Sequence, residues 1–181
     1  VHNLGCLYTA QGDYAKAERY YLDAQRVIKL SLGASHPDYA TSLSNLGRLY
    51  SKKNNYVKAE QYYLDALHIR KSIFDGNHPD YIRSLLDLGE MYSQKRDYAK
   101  AETYLLPVMQ NYKNMFLQST DFMTERQRSF YWEGIKDFFI ITFPKFSDYY
   151  NQEKPYISSS AYDCELFVKG LLLNSSESIK R

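Results

Sequence analysis

The chain has 181 residues, 44% of them apolar, and a chain of this size can bury about 70% of its unfolded surface, which excludes a solvated, disordered tail. Its 23 basic and 21 acidic residues leave a net charge of +2 and are interspersed, unlike the clustered Lys and Arg that track a phosphate backbone, so nucleic acid is excluded as a first partner. The two cysteines, Cys6 and Cys164, are far apart and outside any C-x-x-C pair, which excludes a disulfide framework or a thiolate metal cluster and fits reduced, cytoplasmic thiols.

Leu4-Gly5 opens a pattern that returns as Leu46-Gly47 and Leu88-Gly89, and His36-Pro37-Asp38-Tyr39 returns as His78-Pro79-Asp80-Tyr81. The step is 42 residues throughout, a period that marks a stacked array of two-helix units. A single unit has one apolar face and nothing to bury it against, so neighbours complete the core and leave an extended concave surface as the default functional site. The first copy carries Gly5, Tyr8, Tyr14, Ala17 and Tyr21. In the middle copy, Leu43, Leu46, Leu49 and Tyr50 recur at helical spacing and predict a helix from Pro37 to about Lys52. Pro37 suits a first helical turn, where its missing N–H would be unpaired anyway, and Asp38 places a negative charge at the positive end of the helix dipole. Lys53-Asn54-Asn55 breaks the pattern, and a second helix is expected from about Tyr56 to Phe74, with Ala59, Tyr63, Ala66 and Ile73 on its buried stripe. Gly76 is expected to close it in a left-handed cap. Gly47 and Ala59 are placed where the two helices approach closely, with Tyr50, Tyr56 and Tyr63 filling the space around them. Gly89, Tyr92, Tyr98, Ala101 and Leu105 repeat the arrangement in the third copy, whose second helix meets Pro107, a residue that removes a backbone hydrogen bond and predicts a kink near Thr103.

After Phe116 the His-Pro entry is replaced by Ser119-Thr120-Asp121-Phe122, so the array ends or changes type. Thr124-Glu125-Arg126-Gln127 has the spacing of a capping box and predicts a helix with the stripe Tyr131, Ile135, Phe138, Phe139 and Thr142, ended or bent by Pro144. Tyr149 to Pro155 reads as a loop, and Ser158-Ser159-Ser160 offers N-caps to a last helix with Tyr162, Leu166, Phe167, Leu171 and Leu173. These helices are expected to shield the open end of the array.

No catalytic constellation emerges. A Cys–His nucleophile would need an imidazole beside a thiolate, yet His36 and His78 recur as entry-turn residues while His2 and His68 are isolated. Apart from the lone pair His2 and Cys6, no two His or Cys share the i, i+4 spacing of metal ligands on one helix face, and no Gly-rich phosphate loop or other cofactor box is present, so no cofactor is expected. Glu18, Glu60 and Glu102 recur in step beside Ala17, Ala59 and Ala101, with Lys16, Lys58 and Lys100 two residues earlier, and are expected on a solvated helix face. The first helix of each unit offers binding residues instead. Residues two before and one after each glycine, Asn3 and Cys6, Asn45 and Arg48, Asp87 and Glu90, are expected to line the concave groove, followed one turn on by Thr9, Ser51 with Lys52, and Ser93 with Gln94. Asn at such positions hydrogen-bonds a ligand backbone, and Arg48 with Lys52 meets an acidic group; the alternative is that all are ordinary exposed polar residues.

Leu46-Gly47-x-x-Tyr50, Ala59, Tyr63 and Ala66 resemble the tetratricopeptide repeat signature, and the 42-residue step with its His-Pro-Asp-Tyr entry is similar to the long variant of kinesin light chains. The resemblance covers about Val1 to Phe116. It implies an all-α, right-handed solenoid of helical hairpins that binds extended peptides or helices in its groove. Residues 1–117 are accordingly assigned to three repeats, at about 1–36 (truncated at its start), 37–78 and 79–117, and residues 118–181 to a helical cap or connector. Glu125-Arg126-x-x-x-x-Tyr131-Trp132 and Phe167-Val168-Lys169-Gly170-Leu171-Leu172-Leu173-Asn174-Ser175-Ser176 resemble the connector that precedes the caspase-like CHAT peptidase domain in bacterial repeat proteins, notably of Bacteroidetes. That implies a recruiting or regulatory arm, with the peptidase His and Cys lying after Arg181.

The leading expectation is therefore a non-catalytic scaffold for a protein or peptide partner, without nucleic acid or membrane. The alternatives are the arm of a CHAT-type cysteine peptidase and a self-association module using Trp132, Tyr149 and Tyr150; the chain is expected to be a monomer, with a dimer as the alternative. No run of 18 apolar residues spans a membrane and no charged, apolar leader opens the chain. Val1 falls inside a repeat with no initiator Met, so the chain reads as a piece of a longer, cytoplasmic protein whose own N-terminus lies elsewhere.

Overall fold

The structure, a computed structural model, describes residues 2–119 together with Thr124, Arg126 and Gln127. Among these residues there are six helices and no strand: α1 (His2–Ala10), α2 (Tyr14–Leu32), α3 (Pro37–Lys52), α4 (Tyr56–Ile73), α5 (Pro79–Gln94) and α6 (Tyr98–Ser119). They pair as antiparallel hairpins, and each hairpin packs on the next through its second helix, α2 on α3 and α4 on α5, while α3 and α5 also touch directly. The chain divides into two compact units, Val1–Val108 and Met109–Arg181. In the second, Thr124 and Gln127 form the expected capping box: Gln127 N–H donates to Thr124 Oγ1 at 3.3 Å, and Gln127 Oε1 accepts from Thr124 N–H at 2.9 Å. The expected helices and loop after Gln127, including Trp132, Tyr149, Tyr150, Cys164 and the Phe167–Ser176 stretch, lie outside the described residues.

Local chemistry fixes each helix start. His36 and His78 are N-caps whose Nδ1 accepts the backbone N–H of Asp38 at 3.1 Å and of Asp80 at 3.2 Å, ahead of Pro37 and Pro79 in the first turn. Asp13, Asn55 and Asp97 do the same for the second helices, accepting from Lys16, Lys58 and Lys100 N–H at 3.2, 3.2 and 3.3 Å. The turn between the helices of a hairpin needs one residue in the left-handed region, and the three copies use Gly12 (φ 77°), Asn54 (φ 57°) and Arg96 (φ 64°). Gly takes that conformation freely, Asn tolerates it, and Arg is strained there. By contrast Gly76 has no positive φ: α4 ends at Phe74 in extended backbone (φ −113°), with the Phe74 ring stacked on His78 at 3.7 Å. The expected glycine cap is absent because the aromatic stack already closes the turn. α6 runs through Pro107 to Ser119 as one helix.

Within a hairpin the glycines mark the closest approach. A Cβ added at Gly47 would stand 2.8 Å from the Tyr63 ring, one at Gly5 2.5 Å from Tyr21, and one at Gly89 would run into Leu105. Opposite them Ala17, Ala59 and Ala101 are fully buried. Leu46, Leu49, Leu88 and Met91 are buried by the preceding hairpin, whereas Leu4 and Leu7, their counterparts in the first hairpin, are exposed. The buried stripe of α4 is Ala59, Tyr63, Ala66 and Arg70, while Ile73, expected on it, is 42% exposed. Arg70 occupies the stripe's last turn because three hydroxyls wait there: its Nη1 donates to Ser44 Oγ (3.1 Å) and Ser84 Oγ (2.8 Å), and its Nη2 to Thr41 Oγ1 (3.2 Å).

A second aromatic layer joins the two helices of each hairpin. Tyr8–Tyr20, Tyr50–Tyr62 and Tyr92–Tyr104 stack with centroids 5.3, 5.5 and 5.6 Å apart and planes within 9° of parallel. Lys16, Lys58 and Lys100 lie over the Tyr8, Tyr50 and Tyr92 rings at 5.3, 4.9 and 5.1 Å. Glu18 of α2 accepts the Tyr50 O–H at 2.6 Å and the Lys53 ammonium at 2.7 Å, and Glu60 of α4 pairs with Lys100 of α6 at 3.9 Å and acts on the Tyr92 hydroxyl of α5. The recurring glutamates at 18 and 60 are thus inter-hairpin ties and not, as expected, merely a solvated face. The reason is the packing of each second helix on the following hairpin, which carries these carboxylates to the next unit's tyrosine. Lys53 first and Tyr50 second hold the Glu18 carboxyl below its ordinary range, so this tie stabilises the fold at neutral pH and weakens as acid protonates it.

Two substitutions separate these effects. Arg96→Gly relieves a left-handed Arg at an exposed turn and is expected to raise stability by about 0.5–1 kcal/mol, an increase of roughly 1–4 °C in Tm by calorimetry. Gly47→Ala gains about 1 kcal/mol of helix propensity but drives a methyl into the buried Tyr63 ring, an overpacking cost of about 1–3 kcal/mol, so Tm is expected to fall.

Candidate functional site

Of the expected binding residues, α3 carries Asn45, Arg48 and Lys52, and α5 carries Asp87, Glu90 and Gln94. With Gly47 turned to Tyr63 and Leu46 and Leu49 in the core, Arg48, one position after Gly47, is exposed, whereas Asn45, two before it, is buried. In α1, Cys6 is exposed and its Sγ accepts the Tyr21 O–H at 3.4 Å; Asn3 belongs to α1, but its side chain lies outside the described residues.

The structure joins α3 to α5 in this region. Arg48 Nη2 donates to Asn45 Oδ1 at 3.1 Å, and the Arg48 charge acts on Tyr63 of α4 and on Asp87 and Glu90 of α5. One turn further, Ser51 donates to Gln94 Oε1 at 2.8 Å, a direct bond between neighbouring repeats. Lys52, Glu90 and Gln94 are exposed, whereas Asn45 is 6% exposed. Asn45 therefore does not stand out in solvent as its spacing implied; packing of α2 and α5 on either side of α3 closes over it.

Asp87 has the most unusual environment. Its Oδ2 is shielded from solvent and has no hydrogen-bond partner, and no cation lies within ion-pair distance of the carboxylate among the described residues. Burial outweighs the attraction of Arg48, Arg83 and Arg70 and pushes the Asp87 carboxyl from 3.8 up to about 6. Glu90 is raised as well, by desolvation against the opposing pull of Arg48. The Arg70 guanidinium is lowered by burial, with Asp80 and Asp87 opposing that shift, and its Nε has no hydrogen-bond partner. Sequence periodicity missed Arg70 because a charged residue on an apolar stripe reads as a break in the stripe; the signal was the cluster of hydroxyls at Thr41, Ser44 and Ser84, one helical face away.

Beside this cluster an open cleft of about 200 Å³ runs between α2 and α3, lined by Tyr21, Ala24, Ile28, Asp38, Thr41, Ser42 and Asn45. Small-molecule sites enclose about 300–1,000 Å³, so this cleft suits one side chain of a larger ligand. Among the described residues no group of three or more His, Cys, Asp or Glu stands close enough to hold a metal ion, and no helix is long and apolar enough to cross a membrane.

The tetratricopeptide repeat family profile matches residues 1–72 and 55–114. Among solved structures, an array of nearly identical TPR-like repeats from Podosopora anserina, described as a kinesin light chain, is similar with a TM-score of 0.57 at 12% identity, covering 98% of this chain and 94% of that one. A single-substitution variant of it gives the same TM-score and identity over 99% and 95% of the two chains. BtubC (BKLC) from P. vanneervenii gives 0.54 at 18% identity, over 98% of this chain and 78% of that one. No protein among those of curated function matches the chain.

Because Asp87 binds its proton more tightly folded than unfolded, stability contributed at this site is greatest below about pH 4 and declines as pH rises to about 6. Asp87→Asn removes that loss. The variant is expected to melt above the parent at pH 7, by an amount on the order of 1–2 kcal/mol, and to converge with it near pH 4, as followed by thermal melts across that range.

Proposed function

As a member of the tetratricopeptide repeat family, this chain stacks helical hairpins, and we propose that it works as a non-catalytic interaction module that holds a peptide or protein partner along the face formed by α1, α3 and α5. The observation that carries this reading is that Arg48 and Ser51 of one repeat interact with Asp87, Glu90 and Gln94 of the next, with Arg48, Glu90 and Gln94 exposed. An extended ligand crossing both helices meets donors and acceptors from each, which rewards a chain-like guest over a compact one. Asn3 and Cys6 extend the same line into the first repeat, and Lys52 flanks it. Repeats 1–36, 37–78 and 79–117 act together in this reading, with 118–181 as cap or connector. Such a module acts in the cytoplasm and as a monomer.

The order Phe167-Val168-Lys169-Gly170-Leu171-Leu172-Leu173-Asn174-Ser175-Ser176 favours a second, compatible role as the recruiting arm of a CHAT-type peptidase. A longer protein that cleaves only when a partner is added supports that role, and constitutive cleavage removes it.

The groove is tested by using the chain as bait and identifying what it captures. Arg48→Ala with Glu90→Ala, both at exposed positions, is expected to abolish capture while shifting Tm by no more than about 2 °C. Lys71→Ala, at an exposed site on α4, serves as the control and is expected to retain capture. Capture unchanged by the double substitution refutes the groove assignment.

A further inference from the structure

We infer that the face of α1 carrying Leu4, Leu7 and Tyr8 is an interface, closed in the longer protein by a further helical hairpin that precedes α1 and lays an Ala-Glu-x-x-Tyr stretch of its second helix across it.

The same face occurs three times and is covered twice. Leu46 and Leu49 are 0% and 1% exposed, as are Leu88 and Met91, whereas their counterparts Leu4 and Leu7 are 42% and 50% exposed. Singly exposed leucines are ordinary on a protein surface, but a pair in register with two fully buried pairs is not. The covering group is the same kind each time. Ala17 and Tyr21 of α2 form one buried cluster with Leu46 and Leu49, and α4, with Ala59 and Tyr63 buried, packs on α5.

A polar tie marks the same place. Glu18 accepts the Tyr50 hydroxyl at 2.6 Å and the Lys53 ammonium at 2.7 Å, and Glu60 acts on the Tyr92 hydroxyl. Tyr8 repeats the rest of this arrangement, stacked on Tyr20 and lying under Lys16, yet among the described residues no carboxylate accepts its hydroxyl. Gln11 stands at the position of Lys53 and is exposed. An incoming glutamate therefore meets an O–H and an amide N–H, the donors that a carboxylate needs.

The occupant belongs to the same polypeptide and is not a second molecule of this chain. The surfaces that fit the face, Ala17 with Tyr21, Ala59 with Tyr63 and Ala101 with Leu105, are already buried, so a second molecule offers none among the described residues. Val27 of α2 points to the direction of entry. It is 58% exposed, whereas Ile69, its counterpart on α4, packs against Ala40, Leu43 and Ala66. A chain that enters α1 from an upstream hairpin brings the counterpart of Ala40 over Val27 and covers both patches together.

The test joins a duplicate of residues 1–42 directly ahead of the full chain, which keeps the 42-residue step and sets Ala17, Glu18 and Tyr21 of the duplicate against Leu4, Leu7 and Tyr8. Methyl signals are read by NMR with a soluble gadolinium chelate. The Leu4 and Leu7 methyls are expected to be strongly broadened in the parent chain and as protected as those of Leu46 and Leu49 in the extended one. Leu7→Glu is expected to lower Tm by no more than about 2 °C in the parent and by at least about 4 °C in the extended chain, where it puts a charge into a closed interface. Leu30→Glu, at an 81% exposed site on α2, is expected to act alike in both. Leu4 and Leu7 methyls that stay accessible in the extended chain, or an equal effect of Leu7→Glu in the two proteins, overturn the inference. Protection in the parent that disappears on dilution overturns it in favour of a second molecule. In the longer protein the residues 42 positions ahead of Ala17 and Glu18 are expected to be a small residue and an acid; a bulky or basic residue at either place, or the lack of such a stretch, overturns it as well.

Discussion

The close approach of Gly47 to the Tyr63 ring, repeated at Gly5 with Tyr21 and at Gly89 with Leu105, is the contact on which the rest of the structure depends. It sets the distance between the helices of a hairpin, and in doing so it fixes the rotation of the first helix about its own axis. With the glycine held against the second helix, Leu46 and Leu49 face the neighbouring hairpin and Arg48 is left exposed. Packing inside the unit thereby decides which side chains are offered outside it. A helix that turned by even one residue would bury Arg48 and expose a leucine.

The hairpins are coupled by a different chemistry. Apolar burial at Leu46, Leu49, Leu88 and Met91 supplies the non-directional part, and the tyrosine layer supplies the directional part. Tyr50 is the clearest case: it stacks on Tyr62, lies under Lys58, and donates its hydroxyl to Glu18 of the preceding hairpin. One side chain thus joins its own hairpin and the one before it. The abundance of tyrosine, 19 residues in all, follows from needing a flat ring and a hydrogen bond at the same place in every repeat.

Much of this was legible from the period alone. A step of 42 residues with Gly, Ala and Tyr held in phase sufficed to place α3 and α4 to within a residue, because helix boundaries here are marked by local chemistry, His-Pro at one end and Asn at the other. What periodicity missed depends on neighbours that a single helix does not show. Glu18 read as solvated because its tyrosine lies 32 residues away, and Ile73 read as buried because the hydroxyls that draw in Arg70 sit on two other helices. Gly76 looked like a helix stop, but the Phe74–His78 stack does that work. Spacing put Asn45 and Arg48 on α3 and Asp87 and Glu90 on α5. It did not reveal that Asn45 is nearly enclosed or that Asp87 is desolvated, since burial is a property of the assembled repeats.

Arg70 also bears on how a repetitive chain avoids confusing its own parts. Units this alike can pair out of sequence, and a hydrophobic interface tolerates such exchanges. The equivalent positions in the other copies are Ile28 and Tyr112, so at this position the middle unit alone carries a cation, one that must find Ser44 on one side and Ser84 on the other. A mispaired hairpin would leave that guanidinium stranded among methyl groups. The residue thus serves as an address label, costing less in the right assembly, where three hydroxyls meet it, than in a wrong one.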